Sequence, residues 1–254
     1  MKRLLGDSVW LLCVCALAGC AGALNWTPSA PGAPQAESES AAEPVPASYS
    51  VKPGDTLYSI AWRYGLDYHD VASWNGIGSD YLIKPGQSLR LASPATGKSR
   101  ATTAVTSVTG NGSNPVTAAP VDDSFTPAAG GIVWSWPVSG SVIRLFHADS
   151  TLSKGIDISA ARGADIRAAA AGKVVYAGSG IIGYGKLIII KNSEQFLSAY
   201  ADNDEMLVKE GDVVQAGDRI ASMGLGRDGH PLLHFEIRRN GKPVDPLQYL
   251  PRQH

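Results

Sequence analysis

Lys154-Gly155-Ile156-Asp157-Ile158 and, further along, Pro231-Leu232-Leu233-His234-Phe235-Glu236-Ile237 decide how the second half of this chain folds. Both are short apolar runs set off by glycine or proline turns. The same pattern returns in Gly140-Ser141-Val142-Ile143, Gly172-Lys173-Val174-Val175-Tyr176, Lys186-Leu187-Ile188-Ile189-Ile190, Phe196-Leu197-Ser198-Ala199-Tyr200 and Asp218-Arg219-Ile220-Ala221. Glycine-bounded runs at this density, with no sustained 3.6-residue period, predict an all-β sandwich or open barrel over residues 132–254. Within the two opening stretches, Asp157 and His234 stand out as candidate metal ligands.

Upstream of that region, residues 93–131 are rich in Ala, Thr, Ser, Gly, Val and Pro, carry few charges and read as a disordered linker. A flexible chain of that length has a root-mean-square span of roughly 35 Å, which predicts two modules acting independently. Residues 48–92 are patterned differently. Ser48-Tyr49-Ser50-Val51 alternates as a strand and Pro53-Gly54-Asp55 turns. Thr56 opens a helix with Leu57, Ile60, Ala61 and Tyr64 at helical spacing, and Gly65 stops it. Asp67 caps a second helix carrying Val71 and Trp74, Asn75-Gly76 ends it, and Gln87 to Leu91 returns as a strand. The order is βααβ, with Trp74 at core spacing.

The amino terminus carries Lys2 and Arg3, an apolar run from Val9 to Leu17, then Leu17-Ala18-Gly19-Cys20. A charged start, a short apolar core and small residues before the cut describe a secretory signal over 1–19, too short to span a bilayer. Residues 20–47, rich in Pro, Ala, Ser and Glu, read as a disordered tether. Of the three cysteines, Cys13 and Cys15 leave with the signal, so no disulfide chemistry remains. The formal charge of -1 becomes -2 once Lys2, Arg3 and Asp7 are gone, which offers no field for nucleic acid or anionic lipid.

Three resemblances follow from these residues. Leu-Ala-Gly-Cys resembles the bacterial lipobox, which implies acylation of Cys20 and, with Ala21 next, an outer-membrane anchor facing the periplasm. Tyr49-x-Val-Lys-Pro-Gly-Asp-Thr-Leu57 together with Ile83-Lys84-Pro85-Gly86-Gln87 resembles a LysM module. That implies binding to N-acetylglucosamine in peptidoglycan through a groove between Gly54, Asp55, Thr56 and Leu57 and the segment containing Ile77, Leu82 and Ile83. The region from residue 132 resembles the LytM-type (M23) zinc endopeptidases, in Gly155-x-Asp157, Ala170-Ala171-Gly172-Lys173-Val174-Val175, Gly183-Tyr184-Gly185 and Pro246-Leu247-x-Tyr249-Leu250.

Members of that family take their zinc ligands from His-x-Gly-x-Asp and His-x-His. Here Ser153 stands in place of the first His and Leu232 in place of another, leaving Asp157 and His234. A hydrolytic zinc needs three protein ligands and an open position, and neither a serine hydroxyl nor a leucine replaces imidazole. Tyr200-Ala201-Asp202 likewise ends on Asp where the family places an assisting His. His230 shares a face with Leu232 and His234 in an extended segment, but the turn at Asp228-Gly229 carries it past the site.

The pattern is most similar to the degenerate branch of NlpD and EnvC type. It implies no cofactor and no catalysis, and instead activation of periplasmic N-acetylmuramoyl-L-alanine amidases through a vacated zinc groove lined by Lys154, Asp157, Tyr184, His234 and Arg238. Residues 121–128 are candidates for a segment that plugs this groove. The alternatives are an active zinc endopeptidase with an unusual ligand set, or a lipoprotein that only tethers the envelope to the wall.

Overall fold

The computed structural model describes residues 44–93, 131–148 and 154–252. In the first segment, β1 (Ser48–Ser50) pairs antiparallel with β2 (Ser88–Arg90), and α1 (Leu57–Tyr64) and α2 (Tyr68–Asn75) lie between them in sequence. Thr56 and Ser59 start α1 reciprocally: the Thr56 hydroxyl accepts from the Ser59 amide at 3.1 Å, and the Ser59 hydroxyl accepts from the Thr56 amide at 3.0 Å. This capping box satisfies two of the amides that a helix start leaves unpaired. Asp67 caps α2 in turn.

The second segment is β-rich. Its strands are β3 (Ser141–Arg144), β4 (Ile156–Ser159), β5 (Asp165–Arg167), β6 (Gly172–Gly178), β7 (Lys186–Lys191), β8 (Phe196–Met206), β9 (Val213–Val214), β10 (Arg219–Met223), β11 (Leu233–Arg239) and β12 (Lys242–Val244). They form one antiparallel sheet in the order β3-β4-β11-β8-β7-β6-β9; β10 joins β8 to β5, and β12 hairpins onto β11. The sheet is tightly built around Gly155, where an added Cβ would lie 2.2 Å from the Phe235 carbonyl oxygen.

Period-two alternation gives the sheet two faces. On one, Ile156, Ile158, Ile188, Ile190, Tyr200, Leu233, Phe235 and Ile237 join Ala168, Ile220 and Met223 in a closed core. The Tyr200 hydroxyl buried there accepts from the Ala169 amide at 2.8 Å. On the other face, Leu187, Ile189, Leu197, Ala199 and Ala201 belong to a second cluster, and that cluster is completed by the βααβ module through Leu57, Ile60, Trp62, Tyr68 and Val71.

The two modules therefore pack together, against the independence that the linker length predicts. Chain length sets reach, whereas association is decided by whether apolar faces match. Helix α1 has apolar groups on more than one side, and Trp62, only 2% exposed, faces the sheet. Around this contact the Tyr68 hydroxyl donates to the Glu194 carbonyl at 3.1 Å, and a His69 ring nitrogen lies 3.1 Å from the Glu194 carboxylate. Arg63 donates to the Gly180 carbonyl at 2.9 Å, and the Lys191 ammonium sits 5.3 Å from the Tyr81 ring centre. At the β11–β12 turn, Gly241 (φ 73°) approaches so closely that an added Cβ would be 2.5 Å from the Leu66 carbonyl oxygen. Residues 1–43, 94–130 and 149–153, with the lipobox Cys20, the candidate plug at 121–128 and Ser153, lie outside the described residues.

Candidate functional site

Strand β11 lies between β4 and β8, with His234 opposite both Asp157 and Ala201. Since Leu233, Phe235 and Ile237 enter the core, His234, Glu236 and Arg238 must share the opposite face. Cross-strand neighbours extend each of them into a row: Asp157, His234 and Ala201; Glu236, Ala199 and Ile189; Arg238, Leu197 and Lys191. These rows make up the sheet face on which the sequence places its groove, and Ala199, Ala201, Ile189, Glu236 and Arg238 along them are buried.

A continuous polar network runs along it. His234 Nδ1 is 2.6 Å from Asp157 Oδ1, and His234 Nε2 is 3.1 Å from Glu236 Oε1. The Tyr184 hydroxyl donates to Glu236 Oε1 at 2.7 Å, and Arg238 donates through Nε to Glu236 Oε2 at 3.0 Å. Arg238 also reaches the Tyr184 hydroxyl at 3.2 Å, and Arg144 flanks the outer oxygen of Asp157 at 3.3 Å.

The charge states follow from this geometry. Burial alone would push the His234 pKa down, but its bonds to Asp157 and Glu236 outweigh that and hold it at about 9. At neutral pH the ring is an imidazolium donating from both nitrogens. Burial likewise acts to raise Glu236, yet the Arg238 guanidinium, with His234 and Tyr184, brings its carboxyl down to about 2. Burial, then the Glu236 charge, raises the Tyr184 phenol. Lys154 is shifted down, first by burial and then by the nearby Arg238 cation. Asp202, in a left-handed backbone conformation (φ 62°), is raised to about 6, mostly by burial, with Asp157 adding to the shift against the pull of His234 and Arg227.

Lys154, Asp157, Tyr184, His234 and Arg238 are thus gathered into one cluster. Arg238 differs from its expected role as an open anchor for a partner. It is 1% exposed, its Nη1 donates to the Trp62 carbonyl at 2.8 Å, and its guanidinium carbon lies 3.5 Å from the centre of the Trp62 ring. Leu232 is buried and turned toward Gly226, where an added Cβ would meet its methyl at 2.5 Å. His230 is exposed in a turn closed by the Gly226 amide donating to the His230 carbonyl. In the smaller module, Asp55 accepts from the Tyr49 hydroxyl and the Lys52 amide, Thr56 caps α1 and Leu57 is fully buried. Gly54 in that loop is exposed, and so is Leu82.

Residues 151–246 match the M23 peptidase family and residues 49–92 match the LysM domain. Over 240 residues the chain is 40% identical to the lipoprotein NlpD/LppB homolog of Pseudomonas aeruginosa, an alignment covering 81% of this chain and 77% of that protein. The chain belongs to the NlpD family. Other members include the murein hydrolase activator NlpD of Salmonella typhimurium, 38% identical over 258 residues (81% of this chain, 68% of that protein). An uncharacterized lipoprotein, YgeR of Escherichia coli, is 42% identical over 211 residues (81% of each chain).

Two residues central to this NlpD-family groove escape the reading of the sequence. Glu236 binds His234, Tyr184 and Arg238 at once and is fully buried. Its signal was the alternation itself, since 234, 236 and 238 share a strand face. Trp62 belongs to another module, and nothing in its own sequence context places it on Arg238.

Proposed function

We propose that this chain is a non-catalytic activator of murein hydrolases: its LysM module holds peptidoglycan and its M23 groove engages a periplasmic N-acetylmuramoyl-L-alanine amidase. Cys20 carries the lipid that anchors it to the outer membrane, facing the periplasm. The observation that carries this reading is the state of His234. Both ring nitrogens are already committed to carboxylates, Nδ1 to Asp157 at 2.6 Å and Nε2 to Glu236 at 3.1 Å. Leu232 brings a methyl-lined surface where the family's zinc sites bring imidazole. Among the described residues no group of three or more His, Cys, Asp or Glu is placed to hold a metal ion. The donor set does not fit zinc, and no hydrolytic step is assigned to it.

A groove of this kind, polar along His234, Glu236 and Arg238 and apolar along Ala199, Ala201 and Ile189, suits a polypeptide segment of a partner better than a reacting bond. The names of the NlpD relatives as murein hydrolase activators support the same reading. The test uses the full chain with dye-labelled sacculi. Alone, with zinc supplied, it should release no dye; added to an N-acetylmuramoyl-L-alanine amidase, it should raise release several-fold. Stoichiometric zinc together with dye release by the chain alone would replace this reading with that of an active endopeptidase.

A further inference from the structure

The groove face is occupied at its Arg238 end by the chain's own LysM module, and the manner of occupation is specific. The Arg238 guanidinium carbon lies over the Trp62 ring, 3.5 Å from its centre, and the same ring is edge-on to Tyr184, with ring centres 6.5 Å apart. The carbonyl of the same Trp62 accepts from Arg238 Nη1 at 2.8 Å. One residue of α1 thereby satisfies the face and the edge of a single buried cation. Arg238 is in turn bonded to Glu236 and Tyr184, so it cannot be engaged by another molecule without displacing Trp62.

The contacts at the rim are of a different kind. Glu194, with its side chain 67% exposed, binds Tyr68 and His69, and Arg63 reaches the Gly180 carbonyl. Exposed pairs of this sort contribute little individually and exchange readily with water. The face of LysM that the sugar would use remains open meanwhile: Gly54, Gly78, Ser79, Asp80 and Leu82 are all exposed. LysM is thus able to hold a glycan and cover the groove at once.

We propose that α1 of the LysM module is an internal, displaceable occupant of the M23 groove, seated by Trp62 on Arg238, so that the chain masks its own partner-binding surface until LysM swings away. This rests on the groove being the partner-binding site. The occupant is covalently joined to its site, so a partner gains access only by binding the undocked form more tightly, by at least the free energy of docking. Anything that loosens LysM without touching the groove should increase engagement.

Gly241 and Glu194 provide such perturbations. In Gly241→Asn the new side chain runs into the backbone of Leu66 and Asp67, while Asn tolerates the left-handed turn that Gly241 occupies. Glu194→Lys removes the carboxylate from the His69 ring and from the Tyr68 hydroxyl, which keeps its bond to the backbone carbonyl of residue 194, and sets a cation beside Lys191, on an exposed side chain whose change leaves the core untouched. The experiment takes full-length wild type and both variants. It measures phenylglyoxal modification of Arg238 by peptide mass spectrometry, with exposed Arg239 as the internal reference, and the stimulation of an amidase on dye-labelled sacculi. Arg238 should be protected relative to Arg239 in the wild type and modified about tenfold faster in both variants, with stimulation rising in parallel. Equal reactivity of Arg238 and Arg239 in the wild type overturns the masking, as does unchanged protection in both variants. Faster modification with no gain in stimulation, when the wild type does stimulate, overturns the self-blocking. If neither wild type nor variants stimulate, the activator function fails, and the labelling alone upholds or overturns the masking.

Discussion

Replacing Arg238 by Met measures how much of the structure leans on one buried cation. The substitution keeps the aliphatic stem and removes the guanidinium from Glu236, Tyr184 and Trp62. Losing one partner of a buried ion pair costs about 3–5 kcal/mol. Glu236 retains the His234 and Tyr184 bonds, and the Trp62 carbonyl still accepts from the Gly65 amide, so the lower end, about 3 kcal/mol, applies. At ~2–4 °C per kcal/mol for a protein of this size, the midpoint of thermal unfolding should fall by about 6–12 °C, followed by circular dichroism on the full chain. Repeating the substitution in the Gly241→Asn background closes a double-mutant cycle. With LysM displaced, water reaches Glu236 and the cost should shrink toward the ~1 kcal/mol ceiling of exposed pairs. A loss below ~1 kcal/mol in the wild-type background, or the same loss in both backgrounds, would refute the reasoning. Charge reversal is more severe: Arg238→Glu buries a second carboxylate against Glu236 and should prevent folding, whereas an exposed groove arginine would tolerate it.

Stability should also depend on pH with a defined window. His234 is raised to about 9, so its contribution is complete below its unfolded value near 6.5 and is lost as pH climbs through 9. Glu236 is lowered to about 2, so its contribution is complete above about 4.5 and is lost as pH falls through 2. Asp202, raised to about 6 by burial, works in the other direction, its contribution complete below about 3.8 and lost as pH climbs through 6. Above about 6.5 urea midpoints should fall along an alkaline limb that moves to lower pH in Asp157→Asn, and an unmoved limb would show that Asp157 does not hold the His234 proton. Gly155→Ala should lower the urea midpoint by the equivalent of several kcal/mol, because the added methyl meets the Phe235 carbonyl oxygen at 2.2 Å and must push β4 from β11. A near-wild-type midpoint would contradict that close approach.

Much of the fold was legible because it is written locally. Thr56, Asp67, Gly65 and Gly76 set the helix ends of the LysM module, and glycine-bounded apolar runs set most of the strands. The groove cluster was legible insofar as Lys154, Asp157, Tyr184, His234 and Arg238 sit at positions with a known frame. Burial was not. Whether Arg238 meets solvent depends on Trp62, far away in sequence, and the spacing of α1 shows Leu57, Ile60 and Ala61 as its apolar stripe without saying what its other apolar groups cover. Glu236 was missed for a neighbouring reason: a carboxylate in a strand reads as solvent-facing until the cations around it are known.

Strand β11 also bears on how such a domain changes its trade. Its odd-numbered residues, Leu233, Phe235 and Ile237, hold the scaffold, while His234, Glu236 and Arg238 project to the opposite side. Replacement at the even positions rewrites what the surface recognises and leaves the inner packing as it was. A hydrolase ancestor could therefore surrender ligands one at a time without passing through an unfolded intermediate, while the retained Asp157 and His234 stay bound up with Glu236 and Arg238 in an internal ion network.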